Sequence, residues 1–181
     1  MAALSRLNER TIALVGLMGA GKSTVGRRLA AQLGMPFRDA DAEVEAAAGR
    51  SVADIFTEYG EQAFRDGERR VIARLLDEPP HVLATGGGAF VNDETRALIN
   101  DRAISIWLKV DIEVLTRRVS RRETRPLLTG KDPREVLQAH AQARYGKYAE
   151  AHLTIETGDS AHQSTVDAII TALKQRLAVA S

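Results

Sequence analysis

A chain of 181 residues with 44% hydrophobic and 27% charged content has the make-up of an ordinary globular protein, long enough to bury a sizeable core. Its net charge of +1 offers no bulk attraction to nucleic acid or to an anionic membrane, and the absence of cysteine excludes disulfides, thiolate metal sites and a thiol nucleophile. No apolar run approaches the about 18 residues of a membrane span, so no membrane partner is expected.

Residues 1–10 set Arg6, Glu9 and Arg10 among isolated leucines without the apolar core of a signal peptide, and they read as a flexible lead-in. Residues 11–181 read as a single domain in which strand and helix patterns alternate. Thr11–Val15 is a short buried strand, and Ser23–Leu33 is a helix with Val25, Leu29 and Leu33 on one face, closed by Gly34. Between them Gly16-Leu17-Met18-Gly19-Ala20-Gly21-Lys22-Ser23 fits the phosphate-binding loop, a Gly and four variable residues before Gly-Lys-Ser, in the strand–loop–helix setting that the motif requires. Backbone N–H groups from Gly19 to Thr24 can curl around a nucleotide's phosphates, helped by the dipole of the helix that follows. Lys22 can reach the outer phosphates, and the Ser23 hydroxyl can sit on Mg²⁺, so a di- or triphosphate with Mg²⁺ is the expected ligand.

Met35–Asp39 is a second strand, ending in Asp39-Ala40-Asp41, where strand alternation sends both carboxylates to one side. Beside a phosphate loop such acids can hold the water shell of Mg²⁺ or take a proton from a substrate hydroxyl, while the plainer reading is an Asp capping the next helix. Helices are expected over Asp41–Ala48, over Ser51–Tyr59 with Ser51 as N-cap, and over Glu61–Leu76 up to Pro79-Pro80. On the last of these Arg65 offers a carboxylate-binding fork and Glu68, three residues on, shares its face; the segment alone reads equally as a surface ion pair.

His81–Thr85 is a third strand. Gly86-Gly87-Gly88 follows it, and three glycines in a row after a buried strand imply close backbone approach or positive φ, with N–H groups free for an anion. Asp93–Asn100 is helical, Ala103–Leu108 a fourth strand, and Asp111–Val119 a helix capped by Asp111. Arg117, Arg118, Arg121, Arg122 and Arg125 crowd the irregular stretch that follows. A basic segment beside a phosphate site can close as a lid, and the alternatives are a solvated face or a small nucleic-acid patch. Pro133–Ala149 is helical, His152–Glu156 a last strand, and Val166, Ile169, Ile170, Leu173 and Leu177 mark an amphipathic end helix. Five strands alternating with helices imply an α/β fold, a five-stranded parallel sheet covered on both faces, with ligands collecting at the carboxyl ends of the strands.

Taken in order, residues 16–24, Asp39-Ala40-Asp41, the segment Gly49 to Phe56, Phe64-Arg65, Thr85 to Ala89, Arg125-Pro126-Leu127-Leu128 and Arg144 with Tyr148 resemble the shikimate kinase family. The resemblance implies a P-loop NTPase fold of nucleoside-monophosphate-kinase type, a substrate-binding region over residues 41–64 and a mobile lid over 122–132. It implies ATP-dependent phosphorylation of the shikimate 3-hydroxyl on the route to aromatic amino acids, in a cytoplasmic monomer. By the same resemblance Arg65, Arg144 and Gly86, Gly87 and Gly88 hold the substrate carboxylate, and Asp41 holds the ring hydroxyls and takes or orients the proton. Lys22 and Arg125 stabilise the transferring charge, Ser23 and Asp39 serve Mg²⁺, and Arg118 stacks on adenine; an adenine contact in Thr157–His162 is expected but has no residue assigned. The nearer rival is a gluconate-type small-molecule kinase. A nucleoside monophosphate kinase fits less well, because the arginines and the triple glycine ask for a carboxylate. A non-catalytic nucleotide-binding module is opposed by Lys22, Ser23, Asp41 and Arg125 together.

Overall fold

The computed structural model describes residues 6–121 and 130–180. Five strands form one all-parallel sheet: β1 (Thr11–Val15), β2 (Phe37–Asp39), β3 (Val82–Ala84), β4 (Ala103–Val110) and β5 (Leu153–Thr157), in the spatial order β2-β3-β1-β4-β5. The helices are α1 (Lys22–Leu33), α2 (Ala40–Ala48), α3 (Val52–Leu76), α4 (Asp93–Arg102), α5 (Ile112–Ser120), α6 (Pro133–Tyr148) and α7 (His162–Val179), with a 3₁₀ turn at Ala89–Val91. The α/β expectation holds. Every residue of β1 and β3 is buried, as are all but one of β4, which is the signature of a parallel sheet covered on both faces. Register places Ile12 opposite Val82 and Ile104, and Val15 opposite Trp107, so the carboxyl ends of β1, β3 and β4 finish side by side. The phosphate loop after β1 and the triple glycine after β3 therefore open at one edge of the sheet, the place where such folds bind ligands.

Local chemistry explains most boundaries. Ser51 caps α3 by accepting from the Asp54 N–H, and Asp111 caps α5 by accepting from the Glu113 N–H. The break expected between Ser51–Tyr59 and Glu61–Leu76 lies inside α3, where Gly60 at φ 83° and ψ 172° leaves helical geometry and bends the element. Strand β2 is shorter than expected, because the chain leaves α1 through Gly34 and Pro36 before pairing begins at Phe37. The lead-in is tied down where it is described: Leu7 is only 2% exposed within the core, and the Asn8 amide donates to the Leu33 carbonyl at 2.8 Å. No helix among the described residues is long and apolar enough to cross a membrane.

Candidate active site

Two adjoining clefts lie at the carboxyl edge of the sheet and share Met18, Asp41, Gly86 and Gly87 as a common wall. The first, of about 360 Å³, is built on the phosphate loop. Gly21 caps α1 at φ 89°, and a Cβ there would lie 3.1 Å from the His162 ring, so both conformation and crowding reserve this position for glycine. Lys22 donates its ammonium to the Gly16 carbonyl at 2.7 Å and to the Leu17 carbonyl at 3.0 Å, which holds a positive charge inside the loop. Ser23 donates its hydroxyl to Asp39 Oδ2 at 2.7 Å. Asp39 Oδ1 accepts from the N–H groups of Asp41 and Ala42, so this residue caps α2 with one oxygen and faces Ser23 with the other. The plainer reading of Asp39, a helix cap, holds, and its other oxygen faces the phosphate loop.

Asp41 reaches the cleft by a different route from strand alternation. It stands in the first turn of α2, not on β2, because capping by Asp39 starts the helix at Ala40. Burial, reinforced by the Asp39 carboxylate, pushes the Asp41 carboxyl above its ordinary range, while Lys22 and Arg65 pull the other way. Arg118, on α5, donates to the Gly19 carbonyl at 3.1 Å and lines the same cleft together with Arg121 and His162.

The second cleft, of about 290 Å³, has two guanidinium groups facing a glycine wall. Arg65 donates to Glu68 Oε1 at 2.9 Å. This is not a surface ion pair, since Glu68 is 2% exposed and its Oε2 has no hydrogen-bond partner. Burial raises the Glu68 carboxyl above its usual range, with Arg65 opposing. None of the three glycines is left-handed, so positive φ does not explain them, and close approach explains Gly86 and Gly88. A Cβ on Gly86 would meet both Asp41 Oδ1 and Glu68 Oε2 at 2.9 Å, and one on Gly88 would lie 2.3 Å from the Arg65 guanidinium. The N–H groups of Gly86, Gly87 and Gly88 make no hydrogen bond among the described residues. Arg144, on α6, donates to the Gly87 carbonyl at 3.2 Å. Free N–H groups between two guanidiniums make a cradle for a carboxylate, and the half-buried Asp41 carboxylate at the boundary with the phosphate loop suits a hydroxyl that is to be phosphorylated.

A family model described as shikimate kinase matches residues 18–174. The chain belongs to the shikimate kinase family. A shikimate kinase of Caulobacter vibrioides (strain NA1000 / CB15N) is 70% identical over 172 residues, covering 95% of this chain and 86% of that protein. Among solved structures, a shikimate kinase from Acinetobacter baumannii in complex with shikimate superposes with a TM-score of 0.90 at 36% identity, covering 96% of this chain and 98% of that one. A gluconokinase from Sinorhizobium meliloti 1021 shares the fold at a TM-score of 0.60 but only 19% identity, over 96% of this chain and 98% of that one, a likeness of architecture alone. The chain is thus a P-loop kinase of the shikimate kinase family, and gluconate chemistry is the distant alternative.

Of the residues singled out in the sequence, the structure brings Gly19, Gly21, Lys22, Ser23, Thr24, Asp39, Asp41 and Arg118 to the first cleft and Arg65, Gly88 and Arg144 to the second. Ala20 is buried within the loop. Arg125 and residues 122–129 of the expected lid lie outside the described residues. Sequence reasoning named Arg121 only within the basic stretch and His162 only within the segment expected to touch adenine; the approach of His162 to the loop depends on how α7 packs against α1. It also left the burial of Glu68 unseen.

Proposed function

We propose that the chain transfers the terminal phosphoryl group of ATP to the 3-hydroxyl of shikimate, releasing ADP and shikimate 3-phosphate. The observation that carries this reading is the half-buried Asp41, on the wall between a phosphate loop with its lysine and a compartment with two arginines and a free glycine backbone. Shikimate is a small carboxylate-bearing polyol, and those two compartments match its two ends. Arg65, Arg144 and the N–H groups of Gly86–Gly88 receive the carboxylate, which leaves the ring hydroxyls facing Asp41. The shikimate oxygen bonds to phosphorus as the bridge to ADP breaks, and Asp41 takes or orients the hydroxyl proton. Lys22 stays with the transferring charge, and Arg125, by resemblance, joins it there. Arg118 and His162 form the wall on which the adenine stacks.

Ser23 and Asp39 fit Mg²⁺. A hydroxyl whose proton already rests on a carboxylate keeps a lone pair for a hard cation, and Mg²⁺ bound with phosphates needs only one or two protein oxygens. Among the described residues no cluster of three or more acidic, histidine or cysteine side chains offers a fuller metal cage. When bound, the ion would neutralise charge on the outer phosphates. We further propose a monomeric, cytoplasmic enzyme with one kinase domain over residues 11–181, a substrate-binding region over 41–64 and a lid over 122–132.

Release of ADP from ATP and Mg²⁺, measured with shikimate, with gluconate and with no acceptor, tests the reading. Shikimate-dependent release supports it, and release with gluconate alone replaces the acceptor. The arginine assignment has its own test. Gly88→Ala places a methyl against the Arg65 guanidinium, which has to shift from its place beside the glycine wall, so the KM for shikimate is expected to rise about tenfold. Gly67→Ala, between Arg65 and Glu68 on α3 but with nothing within 4 Å of its Cβ, is expected to leave both KM values unchanged. Equal KM values for the Gly88 variant and the wild type would remove Arg65 from the carboxylate site.

A further inference from the structure

The triple glycine cannot hold its own shape. Glycine loses more conformational freedom on folding than any other residue, and these three carry no side chain with which to anchor the loop. Their carbonyls show where the anchor lies. The Gly86 carbonyl accepts from the Ala89 N–H at 3.2 Å, and the Gly88 carbonyl accepts from the Val91 N–H at 3.2 Å, which closes two successive tight turns. The Gly87 carbonyl belongs to neither turn. It accepts instead from two side chains of α6, the Arg144 guanidinium and the Tyr148 hydroxyl, one helical turn apart on the same face.

We propose that Tyr148 is a positioning residue for the acid-binding end of the cleft: its hydroxyl clamps the Gly87 carbonyl and so presets the glycine peptides that receive the substrate carboxylate. The proposal rests on the reading of the second cleft as the carboxylate site. Tyr148 is suited to the task because it cannot move. It is 0% exposed, it is the last residue of α6, and its ring packs 5.7 Å from Trp107 and 6.4 Å from Tyr145. Trp107 in turn stands on β4 opposite Val15 and against the backbone of Gly16. The hydroxyl is thereby referenced to the sheet and to the start of the phosphate loop, and not to the glycine loop that it holds.

The division of labour between the two donors follows from their chemistry. A carbonyl oxygen has two lone pairs, and a guanidinium has five N–H donors. With Tyr148 on one lone pair, Arg144 needs only one donor for the other and keeps the rest for an anion. Without the hydroxyl, Gly87 depends on Arg144 alone. The same arginine must then hold the loop and the ligand, and the ligand binds a cradle that it has first to order. Burial pushes the Tyr148 hydroxyl above its ordinary range, with Arg144 opposing, so it remains a donor through the neutral range and the clamp does not vary there with pH.

Tyr148→Phe keeps the buried ring and removes only the donor. Titration calorimetry with shikimate is expected to show affinity about three- to tenfold weaker than wild type, the range of one neutral hydrogen bond. The KM for shikimate rises in parallel, while kcat at saturation and the KM for ATP stay within about twofold. Tyr145→Phe, in the same aromatic cluster, is the control and leaves shikimate affinity unchanged. Hydrogen exchange without any ligand gives a second reading: the Ala89 and Val91 amides, which close the two glycine turns, exchange faster in Tyr148→Phe than in wild type. Affinity within twofold of wild type, an equal loss in Tyr145→Phe, or equal shifts in both KM values would overturn the proposal. Should the wild type fail to bind shikimate, the substrate reading falls, and unchanged exchange of the two amides would overturn the clamp by itself.

Discussion

Replacing Asp41 by Asn is expected to lower kcat by about 100-fold or more, the range of a positioned general base, while ATP affinity stays within about threefold of wild type. Asn keeps the shape and can still accept a hydrogen bond, but it cannot take a proton. Stability is expected to move the other way. Burial and the neighbouring Asp39 carboxylate raise the Asp41 carboxyl above its ordinary range, so the folded protein binds that proton more tightly than the unfolded chain does. Above the ordinary carboxylate range the unfolded chain is ionised while the folded protein resists ionisation, so the raised group weakens the fold there and a neutral side chain relieves it: the Tm of Asp41→Asn should equal or exceed that of wild type.

The pH profile follows with the same sign. As pH falls through the raised value, Asp41 becomes protonated and loses its function, so wild-type kcat/KM falls on the acid side at a pH above the usual carboxylate range. The buried Glu68 carboxyl is raised as well and is a second candidate for that limb. The variant separates them. If the acid limb disappears in Asp41→Asn it belonged to Asp41, and if it persists unchanged it belongs to the Glu68–Arg65 pair. Turnover of Asp41→Asn within threefold of wild type would remove Asp41 from proton transfer altogether.

What could be read in advance was whatever depends on neighbours in sequence. The phosphate loop, the caps at Ser51 and Asp111 and the interruption at Gly60 are local, and each stands where its residues place it. The strand order β2-β3-β1-β4-β5 depends on pairings between segments far apart in the chain, which periodicity does not encode. Asp41 reaches the cleft from a helix start and not by strand alternation, because the Asp39 cap decides between one more strand residue and the first turn of α2. Arg65 and Glu68 could be matched by spacing. That Glu68 is buried, and that Gly86 and Gly88 are glycine to make room for the pair, depends on α3 lying against the loop after β3. Tyr148 gave no local signal of its role, since a tyrosine at the end of an amphipathic helix is ordinary core until its hydroxyl is followed to Gly87.

Lys22→Met is the second large effect, expected to lower kcat by about 100- to 1,000-fold, the scale of removing one preorganised donor from a developing negative charge. In the free protein the ammonium rests on the Gly16 and Leu17 carbonyls, so its positive charge is already inside the loop before any nucleotide arrives. Little rearrangement is then required at the moment of transfer, and this preorganisation is what makes such a group effective. Met matches the length of the aliphatic stem but brings no donor. The two carbonyls, on buried residues, lose that donor, and a loss of about 2 kcal/mol would lower the Tm by about 4–8 °C. A larger fall in kcat than in ATP affinity, measured by turnover at saturating substrates and by nucleotide titration, would show that the charge acts mainly in the transition state. An equal loss in both would make Lys22 a nucleotide-binding group only, and Asp41 and Arg125 would then have to carry the chemistry.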